Sequence, residues 1–410
     1  MQNILITGAN FANKGAQAML FVTISEARKR YPNANIFYTT REKCGKRNGL
    51  KFYALNKHTF LNAFAMKTSS VNIFENFFRA SFLAMKSFLK KDFSAIYSDY
   101  AYVKLIDKID LILDVSGFNL SSMFSVKTND LYLQFIHYAK KCKIPVILLP
   151  QSFGPFNYPE NDSRYLPIMD EILSSPKLIF AREKAGYDLL TQKLDLKNVI
   201  LSSDLVLQNK EINWETIFET NYLPKFDMTI KDGHKVALVP NKKIIDKCPH
   251  IDIYHLYHAI IRTALSKNRI VYLIFHSSED CRICKAIKKM FPDNPSVILI
   301  QQELNCYDYE KIISGFDYVI ASRFHSIVNA FKHQIPCLGL GWAEKYQELF
   351  QSLGQQDYML DMRKDITCEE VLTHLDKLDQ NYLSEKSVIK DKLNMIQENN
   401  CFDIVFDALG

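Results

Sequence analysis

Short apolar runs of strand length recur along this chain, each giving way to a polar or glycine-bearing turn and then to a helical pattern. Ile4 to Thr7, Ile36 to Thr40, Asp110 to Val115, Pro145 to Leu149, Leu178 to Ala181 and Asn198 to Leu201 make one series. Lys235 to Val239, Ile270 to Phe275, Val297 to Ile300, Tyr318 to Ala321 and Cys337 to Trp342 make a second. Among the helical patterns, one is expected from Gln17 to Arg30 and another from about Asn129 to Cys142. Few architectures accept that pattern. A strand that leads through a helix to a parallel neighbour winds right-handed into an open sheet buried on both faces. The expected fold is α/β, with two Rossmann-like domains facing a cleft lined by strand carboxyl ends. The first domain spans 1–208, with a helical insert over 57–104. The polar stretch from Asn209 to Gly233 reads as a linker, the second domain spans 234–345, and helices over 346–410 cross back to brace the first.

Within the second series, the run ending at Ala321-Ser322 passes directly into Arg323-Phe324-His325-Ser326, where a helix begins. Free backbone N–H groups and the helix dipole favour an anion at such a junction. Arg323 brings a fork for carboxylate or phosphate, and His325 a group that exchanges a proton near neutral pH. Two residues apart on a regular helix they would not share a face, so joint action requires Arg323 to lie before the first full turn. Arg182, at the end of Leu178 to Ala181, repeats the arrangement and equally suits an ion pair with Glu183.

The chain of 410 residues is long enough for two domains, each with its own core, and 48% hydrophobic with 23% charged residues marks a soluble globular protein. A net charge of +6, spread along the sequence, suits an acidic small molecule or a membrane surface and excludes a nucleic-acid footprint. Nine cysteines show no disulfide framework and read as reduced thiols, and the N-terminus runs straight into a strand, so a cytoplasmic protein is expected, with peripheral contact at the inner face of the membrane as an option. Cys281 and Cys284 have metal-ligand spacing without a second pair, and no metal is expected. From Lys57 to Lys104, phenylalanines including Phe60, Phe64 and Phe74 alternate with basic residues, a stripe that suits packing into a core and also suits a platform for a lipid-linked acceptor.

Further candidates sit in loops at strand ends. Asn10, Asn13 and Lys14 follow the first strand; Ser116 and Gly117 follow Asp114; Gln151, Ser152 and Phe153 lie in the loop opened by Pro150; Asp204 and His276 end other strands.

Taken in order, Asn10 to Leu20, Leu113 to Ser122, Pro150 to Phe156, Arg182-Glu183, Ser203-Asp204, Ser322 to Ser326 and Lys345-Tyr346 resemble the polysaccharide pyruvyl transferase family. Gln151-Ser152-Phe153-Gly154-Pro155 and the Arg-x-His pair are the most specific pieces. Many members carry an acidic residue where this chain has Ala16, and Gly-Gly where it has Ser116-Gly117; both positions support loops. The resemblance implies a fold like that of B-type glycosyltransferases and transfer of a pyruvyl group from phosphoenolpyruvate to two hydroxyls of a sugar, as a ketal. The acceptor would be a surface polysaccharide or its lipid-linked precursor, with no cofactor besides the donor. It places Arg323, Ser322, Ser326 and a mobile Lys345 in the donor site. Arg182 is expected to reach the same ligand from the facing domain, and His325 to serve as general acid, with Asp114 and Asp204 as candidate bases. Two other readings share the fold: a nucleotide-sugar glycosyltransferase, and a non-catalytic carbohydrate-binding subunit.

Overall fold

The computed structural model describes residues 1–409 except 12, 42–44, 47–48, 69–100, 159–161, 226–227 and 229. Most of the phenylalanine and lysine stripe, from 69 to 100, therefore lies outside the described residues. Its first part is the helix Lys57–Thr68. There Phe60 and Phe64 are fully buried, pack against each other and meet Tyr102 and Phe135. That part of the stripe belongs to the core.

Two sheets organise the chain. The first contains β1 (Asn3–Thr7), β2 (Asn35–Thr40), β3 (Gly45–Lys46), β4 (Tyr53–Asn56), β5 (Leu111–Asp114), β6 (Phe118–Leu120), β7 (Val146–Phe153), β8 (Leu178–Ala181) and β9 (Val199–Leu201). Their order is β3-β4-β2-β1-β5-β7-β8-β9, with β6 beside β7, and every pairing is parallel except β3 with β4. The second contains β10 (Lys235–Val239), β11 (Ile270–Leu273), β12 (Val297–Leu299), β13 (Tyr318–Ala321), β14 (Cys337–Gly341) and β15 (Met359–Asp361) in the order β12-β11-β10-β13-β14-β15, all parallel. In the first sheet the winding reverses between β1 and β5, in the second between β10 and β13. Open parallel sheets hold ligands outside the carboxyl ends of strands at such reversals. The Asn10–Asn13 and Ser116–Gly117 loops follow one pair, and Asn241 and Arg323 follow the other.

Local capping sets the helix starts. Helix α1 (Lys14–Arg30) begins three residues before the Gln17 expected from apolar periodicity, because Asn13 accepts hydrogen bonds from the Gly15 and Ala16 N–H groups. Ser125 likewise starts the helix Val126–Lys141 ahead of Asn129.

The expected linker is not a free tether. It runs through short turns at Trp214–Thr216 and Thr220–Tyr222. Trp214 packs on Phe21 of α1 and on Tyr307, and Leu50 pairs with Phe218. The short helix α2 (Leu205–Gln208) carries the apolar core from one sheet to the other, with Leu205, Val206 and Leu207 buried in a cluster that includes Ile4 and Leu113 as well as Val239 and Ile327. One cluster therefore runs through both sheets, while the first sheet also packs a separate cluster of its own that includes Leu5, Phe60, Ile112 and Leu148. Helices α6 (Cys368–Glu398) and α7 (Cys401–Leu409) return to the first domain as expected: Gln397 donates to the Leu207 carbonyl, the Cys401 N–H donates to Gln208, and Phe406 packs on Tyr31.

A cationic junction as the candidate active site

Arg323 is the N-cap of helix α4 (Phe324–Lys332), in extended conformation. It thus lies outside the regular helix, and His325 occupies the first turn. The two side chains nevertheless go different ways. The Arg323 guanidinium binds Asp280 through Nε (2.7 Å) and Nη2 (2.7 Å), the Ser277 hydroxyl (2.7 Å) and the Glu279 carboxylate. Asp280 is fully buried and also accepts from the Lys242 N–H and the Ser277 hydroxyl. Those bonds leave out Nη1. These partners lie some forty residues upstream of Arg323, yet the Ser277-x-x-Asp280 capping pattern was readable in the sequence.

His325 turns into the junction between the sheets. A Cβ placed on Gly15 of α1 would lie 2.2 Å from the His325 ring, so only glycine allows so close an approach. Its Nε2 is enclosed, has no hydrogen-bond partner among the described residues and lies 3.8 Å from Asp204 Oδ2. Burial lowers its pKa well below the ordinary range, and the Arg182 and Lys345 charges push it further down.

Arg182, buried on the first domain, donates to Glu183 (2.8 Å), Asp204 (2.9 Å) and the Ser152 hydroxyl (2.6 Å), and its guanidinium stacks 4.4 Å from the Phe324 ring centre. Burial opposes its charge, but the two carboxylates outweigh that and hold its pKa above the ordinary value. The ion pair with Glu183 that the sequence suited is thus formed, with Asp204 as a second carboxylate partner. Lys345, at the start of helix α5 (Lys345–Ser352), is not the mobile cation expected: it lies among the rings of Phe118, Phe324 and Trp342. Desolvation and the nearby Arg182 lower its pKa to about 8, against an opposing pull from Glu183 and Asp204.

Behind Arg323, Ser326 accepts from the hydroxyl of Tyr309 on helix α3 (Cys306–Ile313) at 2.8 Å and lies 3.1 Å from His276 Nδ1. Burial, then the charges of Arg323, His325 and Lys14, depress the His276 pKa strongly. Ser322 sits below Arg323; its carbonyl accepts from Asn241 and from the Tyr346 hydroxyl. Lys14 is buried at the junction, with Glu303 as a partner at 3.5 Å.

Several other expected site residues do structural work. Asn10 accepts from the Asn13 N–H, and Asn13 caps α1. Asp114 is fully engaged by Thr7, Ser116, Tyr132 and Gln151, which leaves it poorly suited to act as a base. Gly117 takes a positive φ of 68° and accepts from the Ser152 N–H. Phe153 is buried against Gly186. Asp204 caps α2 by accepting from the Val206 N–H. Glu348, which sequence reasoning missed, accepts from the Lys184 and Ala185 N–H groups across the junction.

A cleft of about 750 Å³ opens beside these groups, with Arg182, Asp204, Phe324 and Lys345 in its inner wall and residues of α5, α6 and α7 in its outer wall. Arg323 is not among the cleft residues, so the two arginines do not line one open space as expected. Among the described residues no group of three or more His, Cys, Asp or Glu gathers as a metal site, and no helix is long and apolar enough to cross a membrane.

Solved structures similar to this fold include the UDP-GlcNAc 2-epimerase of Neisseria meningitidis bound to UDP-GlcNAc (TM-score 0.59, 15% identity, 100% of this chain and 99% of that one). The UDP-GlcNAc 2-epimerase of Methanocaldococcus jannaschii (0.53, 12%, 92% of each chain) and a glycosyltransferase of Rickettsia africae (0.52, 10%, 100% and 98%) are also similar. At those identities the likeness concerns the fold alone, the two-domain arrangement of B-type glycosyltransferases. No curated protein sequence matches the chain. The family model described as polysaccharide pyruvyl transferase matches residues 13–344, which include α1, Arg182, Asp204 and the Arg323-Phe324-His325 turn, and the chain belongs to that family.

Proposed function

We propose that the protein transfers the pyruvyl group of phosphoenolpyruvate to two hydroxyls of a sugar, forming a ketal and releasing phosphate. The observation that carries the reading is His325: an enclosed imidazole with a free Nε2, at a helix start, flanked by Arg182 and Lys345. Binding a neutral sugar alone requires no such cationic setting. A donor with a carboxylate and a phosphate on one carbon does.

In the ligand-free protein burial and the adjacent cations keep His325 neutral. A bound dianion reverses the local field and raises its pKa, so that the imidazolium forms where it is used. It protonates the methylene carbon of the donor, the neighbouring carbon becomes oxocarbenium-like, and a sugar hydroxyl adds there. The carbon–oxygen bond to the phosphate breaks, a second hydroxyl closes the ketal, and of the two hydroxyl protons one restores the His325 imidazolium and the other leaves with the phosphate. Arg182 and Lys345 hold the anion in the inner cleft, the ligand displacing one carboxylate from Arg182. Arg323, held by Asp280, Ser277 and Glu279 on the second sheet and outside the cleft lining, anchors the turn that carries His325. Ser322 and Ser326 fix the turn that presents it. Asp204 is the remaining base candidate, since Asp114 is engaged.

Phosphate release from phosphoenolpyruvate, measured against a panel of free and lipid-linked saccharides, tests the reading. Acceptor-dependent release that falls at least about a hundredfold in His325→Gln and Arg182→Gln supports it. Release with no acceptor dependence, or transfer of a glycosyl group from a nucleotide sugar, contradicts it.

A further inference from the structure

We infer that the outer half of the 750 Å³ cleft is the saccharide acceptor site, built largely by the C-terminal helices. The inference rests on the donor assignment above. Most of the residues concerned lie beyond the stretch matched by the family model, which ends at 344.

An acceptor hydroxyl must come within about 3–3.5 Å of the reacting carbon. If the donor anion sits on Arg182 and Lys345, the acceptor occupies space contiguous with them, and the cleft is such a space. Its size falls within the range of about 300–1,000 Å³ usual for ligand sites, enough for the donor with a sugar unit beside it. Its outer wall presents the groups that pair with sugar hydroxyls: Ser203 from the first domain, Gln351 and Ser352 at the end of α5, and Asn399 at the end of α6. The Asn399 amide nitrogen is bound to the Met395 carbonyl, which leaves its oxygen to accept. Leu201, Met395 and Ile404 stand exposed in the same lining, at 47%, 58% and 41%, and offer apolar surface to the C–H face of a pyranose. In this half Glu348 caps two N–H groups and Lys184 pairs with Asp188, which leaves Lys392 as a single cation without an ion pair among the described residues. A neutral polyol fits that wall better than a second diphosphate.

The division has a consequence for specificity. Apart from Lys345, one residue past its end, the groups for the shared chemistry lie inside the family match on the inner wall, and the groups that choose the sugar come mostly from the segment after it.

The test uses the full chain with a mixture of methyl pyranosides of galactose, glucose, mannose and N-acetylglucosamine, with phosphoenolpyruvate added or omitted. Saturation-transfer NMR reads glycoside binding and calorimetry reads phosphoenolpyruvate binding. Gln351→Trp and Asn399→Trp place an indole in the cleft at exposed positions, with thermal melting to confirm folding. We expect glycoside binding by the wild type, at least about tenfold weaker in both variants, while phosphoenolpyruvate affinity stays within about twofold. Glycoside binding that persists in both variants, or none by the wild type under either condition, overturns the assignment. If glycosides bind and are expelled by the indoles while phosphoenolpyruvate does not bind, the cleft stands as a saccharide site and the donor reading falls.

Discussion

At the scale of single residues the proposed chemistry rests on His325 and Asp204. Their 3.8 Å separation is too long for a hydrogen bond, and Asp204 is held by Arg182 in the ligand-free state. An anion that takes Arg182 frees Asp204 to pair with the charged imidazole. Asp204→Asn, which keeps the size and the α2 cap, should shift the alkaline limb of the kcat profile, where the general acid His325 loses its proton, down by about one pH unit, since one unit corresponds to about 1.4 kcal/mol of lost interaction with the cation. An unshifted profile would limit Asp204 to a structural role. The same pKa depressions affect stability. His325, His276 and His333, the last held at about 4 by burial, bind protons more readily unfolded than folded. Their stabilisation is fully present above the ordinary histidine value of about 6.5 and is lost as pH falls through the folded values. The ligand-free protein should therefore melt at progressively lower temperature below about pH 6.5, and His325→Gln should flatten that dependence. Gly15→Ala tests the close approach: a Cβ 2.2 Å from the ring must move α1 or His325, at a cost of about 1–3 kcal/mol in unfolding free energy together with lost turnover.

At the scale of elements, the helix Lys57–Thr68 shows which half of an amphipathic pattern wins. Phe60→Ala or Phe64→Ala should destabilise the protein by about 3–5 kcal/mol in denaturant unfolding, the cost of an aromatic core truncation. A loss of vesicle binding at unchanged stability would instead assign the helix to a membrane surface. The central strands and their order of appearance were legible in the sequence because apolar runs and turn residues are local signals, and so was the place of Arg323 at a strand–helix junction; the short strands β3, β4 and β6, and β15 within the stretch expected to be helical, were not. Long-range pairing was not legible. Nothing local joins Arg323 to Asp280, or Asp204 to His325 across more than a hundred residues, and periodicity does not reveal that Lys345 settles among three rings. Helix starts shifted by about one turn wherever a cap residue, Asn13 or Ser125, preceded the apolar periodicity. The outer cleft wall was missed because Gln351 and Asn399 are ordinary surface residues until the helices bring them beside Arg182.

For the molecule as a whole, the shared core through α2 and the return of α6 and α7 tie the two sheets into one cooperative body. Helix α7 buries Cys401, Phe402, Val405 and Phe406 against the first domain although it follows the second in sequence. Removing residues 400–410 should lower the melting temperature of the entire chain in a single transition; melting of the second domain alone would show that the sheets unfold independently. The central claim, pyruvyl transfer at the junction, is tested most directly by incubating the protein with ¹³C-labelled phosphoenolpyruvate and the saccharide panel and analysing the sugars by mass spectrometry and NMR. The account predicts one labelled pyruvate ketal, bridging two hydroxyls of one residue, formed in step with phosphate and absent with His325→Gln. Label that never enters a sugar, while the protein moves a glycosyl group from a nucleotide sugar, would contradict it.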